Sequence, residues 1–155
     1  MSLYGLLDRH SINGHVSVNS KRQALQAVAE HAAKLFKMDA DVIFNALVDR
    51  EKQGSTGVGL GVAVPHAALE GLTQMRGIFV RLESPIDYDS IDHVPVDLVF
   101  ALFAPPEAGS EHLRALAKVS RALRQKSMRE QLRALDTNDA LYALLADSGG
   151  NTHAA

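Results

Sequence analysis

The feature that most constrains the fold is an almost uninterrupted apolar run that two prolines end. The run is Val96–Ala104, in which only Asp97 is polar, and Pro105-Pro106 follows it directly. Proline has no backbone N–H to donate to a ladder, so a strand is expected to end there. Continuous apolar strands are typical of the centre of a sheet that is covered on both faces. The run therefore predicts a central strand whose sheet has helices on either side.

Segments with helical spacing of apolar residues flank that strand in the sequence. They predict helices over residues 21–36, 40–53, 110–124, 128–135 and from residue 138 onward. The N-cap residues expected for four of these helices are Ser20, Asp39, Ser127 and Thr137. The residues predicted to face inward include Leu25, Val28, Val42, Ile43, Leu47, Leu113, Ala117, Leu123 and Leu141.

Three further segments predict strands. His15–Val18 is expected at an edge, Gly57–Val64 alternates bulky with small residues, and Gly77–Leu82 carries Arg81 as its solvent-facing member. Strands and helices alternate along the chain, which indicates an α/β sandwich. We expect one domain over residues 1–155, with residues 148–155 as a fraying tail.

Composition excludes several classes of protein. The net charge of −2 argues against nucleic-acid binding, which usually requires a basic surplus. The absence of cysteine removes disulfides, thiol catalysis and cysteine-bound zinc, and it fits a cytoplasmic protein. No apolar run reaches the length of a membrane span, and residues 1–10 lack the pattern of a signal peptide.

His66 stands out because it follows a glycine-rich segment and a proline. Within Gly57–Val64 the even positions are bulky and the odd ones are glycine or alanine. Read as one strand, the segment has a bare face that another part of the chain can approach closely. Pro65 is expected to end that strand and to leave His66 at its rim. Such a histidine is a plausible reactive group, although a histidine packed in the core is the commoner outcome.

Two other residues can share a site with His66. His112 lies in the first turn of the helix that follows the central strand, where ligands of α/β sheets commonly bind and backbone N–H groups attract anions. Arg50 leads directly into the glycine loop, where Ser55, Thr56 and the Gly57 amide can add donors. For each of these residues a purely solvated or turn-forming role is the alternative.

This set of groups suits a transiently phosphorylated histidine. A neutral imidazole can attack phosphorus without a separate base, and the transfer then depends on positioning and on neutralising oxygen charge. The glycine loop is not a Walker A loop, since no Gly-Lys-Ser/Thr closes it, and the chain has no His-Glu-x-x-His zinc motif. A metal site built on His66 and His112 is a further alternative that lacks a clear third ligand.

The chain resembles the mannitol/fructose class of enzyme IIA domains of the phosphoenolpyruvate-dependent phosphotransferase system, and within it the nitrogen-regulatory IIA proteins. The matching segments are Arg50-Glu51, Gly54–Gly57, Gly61–His66, Ser84–Asp87, Pro95–Leu102 and Glu111–Leu113. The resemblance extends over roughly residues 6–145 and implies a single-domain mixed β-sheet flanked by helices on both sides.

The resemblance also implies roles for these residues. His66 would accept a phosphoryl group at Nε2 from the histidine carrier HPr or its nitrogen-branch counterpart. His112 would hydrogen-bond the phosphoryl group, Arg50 would support its charge, and Ser55, Thr56 and Gly57 would form the loop around it. No cofactor and no metal are implied. The protein would be a phosphoryl-transfer component rather than a stand-alone enzyme, and its regulatory relatives bind targets that include potassium-transport and sensor proteins.

The chain departs from this pattern directly after His66. Nitrogen-type members usually continue with glycine and a basic residue, whereas Ala67-Ala68 stand here. This departure leaves open an interaction module that works without phosphorylation. A sugar-specific component that passes phosphate to a IIB domain is a second alternative, because free-standing IIA domains also exist in sugar systems.

Overall fold

The computed structural model describes residues 3–147, so the predicted tail 148–155 lies outside the described residues. A short 3-10 turn at Leu3–Leu6 begins the described chain. The strands are β1 (Ile12–Val16), β2 (Gly57–Gly59), β3 (Val62–Ala63), β4 (His66–Ala68), β5 (Arg76–Ile86) and β6 (Val96–Ala104). The helices are α1 (Lys21–Phe36), α2 (Ala40–Glu51), α3 (Ser110–Arg124), α4 (Lys126–Ala134) and α5 (Asn138–Asp147).

The strands form one mixed sheet of six strands in the order β1-β5-β6-β3-β2, and β4 also pairs with β6. The pairs β1–β5, β3–β6 and β4–β6 are parallel, whereas β5–β6 and β2–β3 are antiparallel. The prediction of a central strand over Val96–Ala104 is confirmed, because β6 has partners on both sides and all of its residues except Asp97 are buried.

Helices cover both faces of the sheet, which confirms the predicted fold class. On one face α1 and α2 pack against residues such as Val80, Val99 and Phe103. On the other face α3, α4 and α5 pack against residues such as Phe79 and Phe100. The alternation of side chains along β5 and β6 therefore supplies both cores. Within residues 3–147 no helix is both long and apolar enough to cross a membrane.

Three of the predicted N-caps are confirmed, and one is wrong. Ser20 accepts a hydrogen bond from the backbone of Gln23, Asp39 from Asp41, and Thr137 from Ala140. Ser127 does not cap α4, because that helix already begins at Lys126. Gln125 alone separates α3 from α4 and serves as the boundary residue of both, which leaves no room for a cap two residues later.

The inward faces of two helices differ from the prediction. Val42 is 55% exposed and Leu113 is 69% exposed, and Ala117 is exposed as well. Phe44 in α2 and Val119 in α3 are buried instead. Apolar spacing alone allowed more than one face for these helices, and packing against the sheet selected one of them.

Arg81 is not the solvent-facing residue that the strand pattern predicted. Its guanidinium is partly buried and donates to the carbonyl oxygens of Gly14 (3.1 Å), Leu132 (2.8 Å) and Leu135 (2.6 Å). Carbonyls in the last turn of a helix have no partner within the helix, and Arg81 supplies one at the end of α4. The edge strand is confirmed as β1, although it runs over Ile12–Val16 rather than His15–Val18.

The glycine-rich segment is a hairpin, so the predicted single strand over Gly57–Val64 is wrong. The strands β2 and β3 pair antiparallel, with Gly57 opposite Ala63. The chain reverses through Gly59, Leu60 and Gly61, which have φ values of 103°, 63° and 81°. Two glycines lower the cost of such a turn. The expected close approach is confirmed at Gly57, where an added Cβ would lie 2.5 Å from Ser90 Oγ and 2.9 Å from Ser90 Cα.

Candidate functional site

His66 is the first residue of β4 and pairs with Leu102 of the central strand. Val64 and Pro65 lie between β3 and β4, and the Pro65 carbonyl oxygen accepts a hydrogen bond from the Leu102 amide (2.9 Å). Ala67 packs into the core on the α1 and α2 side, so the alternation of side chains directs His66 toward the face that carries α3. The half-buried imidazole is thus anchored to the most buried strand of the sheet at the point where a new strand begins.

The hydrogen bonds of His66 define its tautomer. Nδ1 lies 2.9 Å from the carbonyl oxygen of Val64. A carbonyl oxygen can only accept a hydrogen bond, so Nδ1 carries the proton. In the neutral ring Nε2 then keeps its lone pair, and that lone pair accepts a hydrogen bond from Arg50 Nε at 3.1 Å. The nitrogen with nucleophilic character is therefore Nε2.

The environment of His66 keeps the imidazole neutral. Burial is the largest influence and lowers its pKa below the ordinary 6.5, and the positive charge of Arg50 lowers it further. The hydrogen bond to Val64 and the charge of Glu51 oppose these effects without reversing them. Near pH 7 the ring is accordingly in the form that has a free electron pair.

His112 lies beside His66, as the sequence predicted for a shared site. It is in the first turn of α3, and its ring centroid is 5.6 Å from that of His66, with the two planes at 85°. Its Nε2 is buried and has no hydrogen-bond partner among the residues that the structure describes. Burial, followed by the charge of His66, lowers the pKa of His112. A buried nitrogen without a partner is costly and is available to a ligand atom.

Arg50 reaches the site from the last turn of α2. Its Nε donates to His66 Nε2, and its Nη1 donates to the carbonyl oxygen of Gly54 at 2.9 Å. Two donors of one planar guanidinium are thus fixed by two different parts of the chain. The structure therefore brings together all three of the residues that the sequence singled out: His66, His112 and Arg50.

The hydroxyl groups of the glycine loop are engaged within the protein. Ser55 Oγ donates to the carbonyl oxygen of Tyr88 (3.2 Å) and accepts from the Gly57 amide (3.1 Å). Thr56 is 3% exposed, and its hydroxyl donates to Glu51. These bonds shape the loop beside Arg50. The direct contact of Ser55, Thr56 and Gly57 with a phosphoryl group stays a prediction.

Sequence reasoning missed the network beneath the loop. Tyr88 is 0% exposed although it stands in a polar segment, and its hydroxyl contacts both Thr56 and Glu51. Lys21 pairs with Glu51 at 2.9 Å. The sequence signal that could have pointed to this network is Glu51, which follows Arg50 in the matching segment. The burial of Tyr88 follows only from tertiary packing.

The described residues do not assemble a third ligand around the two histidines. In the range 3–147 no group of three or more His, Cys, Asp or Glu side chains could hold a metal ion. His31 is engaged elsewhere, since its Nε2 lies 2.6 Å from the carbonyl oxygen of His10. His15 contacts Glu83 and the backbone of Asp136.

A family model described as "Phosphoenolpyruvate-dependent sugar phosphotransferase system, EIIA 2" matches residues 5–148. The chain belongs to this EIIA type-2 family. The resemblance inferred from the sequence motifs is thereby confirmed for the family. The site of this EIIA chain lies within the matched region.

Nitrogen regulatory proteins are among the similar members of the EIIA family. The one from Bradyrhizobium diazoefficiens is 45% identical over 94% of this chain and 95% of its own length. The one from Escherichia coli strain K12 is 40% identical over 97% of this chain and 93% of its own length. The crystal structure of nitrogen regulatory protein IIA-Ntr from Neisseria meningitidis is 34% identical, with a TM-score of 0.86 over 92% of this chain and 98% of that chain.

Proposed function

We propose that this chain is a phosphocarrier and regulatory protein of the nitrogen-related phosphotransferase system. His66 accepts a phosphoryl group from an HPr-type histidine carrier, and partner proteins respond to whether His66 is phosphorylated. The observation that supports this most is the placement of His66 between the Val64 carbonyl at Nδ1 and the Arg50 guanidinium at Nε2. That placement leaves one nitrogen nucleophilic and puts a cation beside it.

The proposed transfer needs no separate base. The lone pair of His66 Nε2 attacks phosphorus while the phosphorus–nitrogen bond of the donor breaks, and the electron pair of that bond stays on the donor nitrogen. The proton on Nδ1 remains hydrogen-bonded to Val64 throughout. Arg50 gives up its bond to Nε2 as phosphorus approaches, and its N–H groups then neutralise the phosphoryl oxygens.

His112 completes the proposed site as a second partner for the phosphoryl group. Its Nε2 has no hydrogen-bond partner within residues 3–147, and the two rings are 5.6 Å apart. In the tautomer that carries the proton on Nε2, His112 can therefore donate to a phosphoryl oxygen. The neutral ring can donate in that tautomer, so the low pKa of His112 does not prevent the role. Transfer between HPr and His66 is reversible because the bond broken and the bond formed are both phosphorus–nitrogen bonds.

The departure at Ala67-Ala68 is compatible with this function. Ala67 and Ala68 continue β4 and pair with Phe103 and Ala104, so the strand that begins at His66 is intact. Ala67 is buried and Ala68 is exposed. The identity with nitrogen regulatory proteins favours the regulatory assignment over a sugar-specific component. A phosphoryl group adds about two negative charges, which is sufficient to change a partner's affinity.

Mass spectrometry after incubation with phosphoenolpyruvate, enzyme I and HPr tests the proposal. We expect one acid-labile phosphate on His66, none on a His66→Ala variant that retains its fold, and slower labelling of His112→Ala. Normal labelling of His66→Ala would overturn the assignment of the site. A wild-type chain that stays unlabelled under conditions where HPr is phosphorylated would favour the phosphorylation-independent module.

A further inference from the structure

Glu51 is a buried carboxylate directly beside Arg50. It ends α2, and its side chain is 7% exposed. Oε1 accepts from the Thr56 amide (2.9 Å) and lies 2.9 Å from Lys21 Nζ. Oε2 accepts from the hydroxyls of Thr56 and Tyr88. Removing a carboxylate from water costs several kcal/mol unless charge and hydrogen bonds compensate, and this one has both.

The partners of Glu51 come from separate parts of the chain. Lys21 begins α1, Thr56 lies in the glycine loop, and Tyr88 lies between β5 and β6. Lys21 Nζ also stands 4.7 Å from the centroid of the Tyr88 ring. Burial, followed by the negative charge of Glu51, raises the pKa of Tyr88, so its hydroxyl stays protonated and can donate. The Glu51 side chain thus connects the glycine loop to α1 and to the segment between β5 and β6.

The same glycine loop also contacts the Arg50 side chain. The Gly54 amide donates to the backbone carbonyl of Glu51 (3.0 Å), and the Gly54 carbonyl accepts from Arg50 Nη1 (2.9 Å). Thr56 follows two residues later and is bound by the Glu51 side chain through both its amide and its hydroxyl. The position of the Gly54 carbonyl, and with it the orientation of the guanidinium at His66, depends on this attachment.

We propose that Glu51 is a positioning residue for phosphoryl transfer, because it fixes the loop whose Gly54 carbonyl directs Arg50 onto His66 Nε2. This inference rests on the proposed function and assigns Glu51 no contact with the phosphoryl group. A residue that acts through Arg50 changes the rate of transfer rather than the binding of the donor, since Arg50 acts on the reacting atoms.

Thr56→Val tests this role most specifically, because it removes the hydroxyl that binds Glu51 while it keeps the shape and the charge of the site. At saturating phosphorylated HPr we expect its labelling rate to fall about tenfold or more, with an apparent KM for HPr within about twofold of wild type. Glu51→Gln is expected to behave similarly. Asp49→Asn is the matched control, since Asp49 is on the same helix turn and its side chain is 73% exposed.

An NMR titration of His66 separates positioning from a merely structural role. Arg50, Glu51 and His112 are the titratable or charged groups around this ring. Thr56→Val changes none of these charges, so a looser Arg50 is expected to raise the pKa of His66 toward 6.5. Tyr88→Phe, which keeps the ring and removes only the hydroxyl, is the second variant if Thr56→Val fails to fold.

A double variant tests whether the effect runs through Arg50. Arg50→Gln/Thr56→Val is expected to be no slower than Arg50→Gln alone, since the loop then has no guanidinium to position. If wild type is labelled and Thr56→Val matches it in rate and in the pKa of His66, the role of Glu51 is overturned. If wild type is not labelled at all, the proposed function is what fails.

Discussion

At His66, the choice of tautomer decides which nitrogen can react. The Val64 carbonyl holds the proton on Nδ1 at 2.9 Å, which leaves the lone pair on Nε2. Arg50 contacts that lone pair from one side, and His112 lies beside the ring. A backbone group therefore orients the proposed nucleophile, so the arrangement depends on the connection between β3 and β4 as much as on any side chain.

The lowered pKa values of the two histidines predict how the proposed phosphoryl transfer depends on pH. Burial lowers the pKa values of both His66 and His112 below 6.5, so both rings should titrate below that pH in the folded protein. In the proposed transfer the neutral form of His66 is the nucleophile, so the fraction able to react is high above pH 6.5 and falls only as the pH drops through the lowered pKa. An NMR titration of the two rings measures both midpoints.

The unfolding free energy should also depend on pH through these two histidines, and it should fall on acidification. Between 6.5 and the lowered values the unfolded chain binds more protons at these two sites than the folded chain does, so acidification below pH 6.5 reduces the unfolding free energy. In denaturant both histidines should titrate near 6.5. Folded-state midpoints at or above 6.5 would contradict the proposed environment of the rings.

The residues of the site were predictable to different degrees. Recognisable sequence signals stand next to three of them: a proline beside His66, a helix start beside His112 and a glycine loop beside Arg50. Tyr88 gave no such signal, because Asp87 and Asp89 on either side indicate an exposed loop. Its burial depends on Lys21 and Glu51, which come from distant parts of the chain.

At the scale of elements, long segments were predicted better than short ones. The central strand β6 and the helices α1 and α3 have the expected bounds, since many residues contribute to each pattern. The hairpin β2–β3 was predicted as one strand because alternation with period two continues across its turn. Register and turn geometry there depend on Asp97 and Leu98, whose amides both donate to the carbonyl oxygen of Gly61.

Gly57→Ala tests the close packing of this hairpin. The new Cβ would lie 2.9 Å from the Cα of Ser90, so the loop that contains Ser90 must move. We expect a loss of about 1–3 kcal/mol in unfolding free energy. Thermal denaturation should show a lower midpoint, by about 2–4 °C for each kcal/mol.

Gly5→Ala is the matched control for that substitution, since nothing lies within 4 Å of a Cβ added there. Its midpoint should differ little from that of wild type. An unchanged midpoint for Gly57→Ala would mean that β2 does not pack against the Ser90 loop as described.

For the whole molecule, two cores share the strands β5 and β6. Leu47 belongs to the core beneath α1 and α2, Leu132 belongs to the core beneath α3–α5, and both are 0% exposed. Because the same two strands supply side chains to both cores, loss of either core removes support from the other. If the chain is a single domain, as expected, it should therefore unfold as one cooperative unit.

Leu47→Ala and Leu132→Ala should each lower the unfolding free energy by about 2–5 kcal/mol. In each variant, denaturant curves from far-UV circular dichroism and from tyrosine fluorescence should coincide. Val42→Ala is the control, because Val42 is 55% exposed and its loss should cost far less. Separate transitions for the two probes would contradict a single cooperative domain.

We expect the Nε2 atom of His66 to carry the phosphoryl group in the phosphorylated protein. Phosphorus–nitrogen coupling in NMR spectra of ¹⁵N-histidine-labelled protein, after phosphorylation by HPr, identifies the nitrogen that is bonded to phosphorus. We expect coupling to Nε2 of His66, with Nδ1 still protonated and hydrogen-bonded to the Val64 carbonyl. Coupling to Nδ1, or to a nitrogen of another histidine, would contradict it.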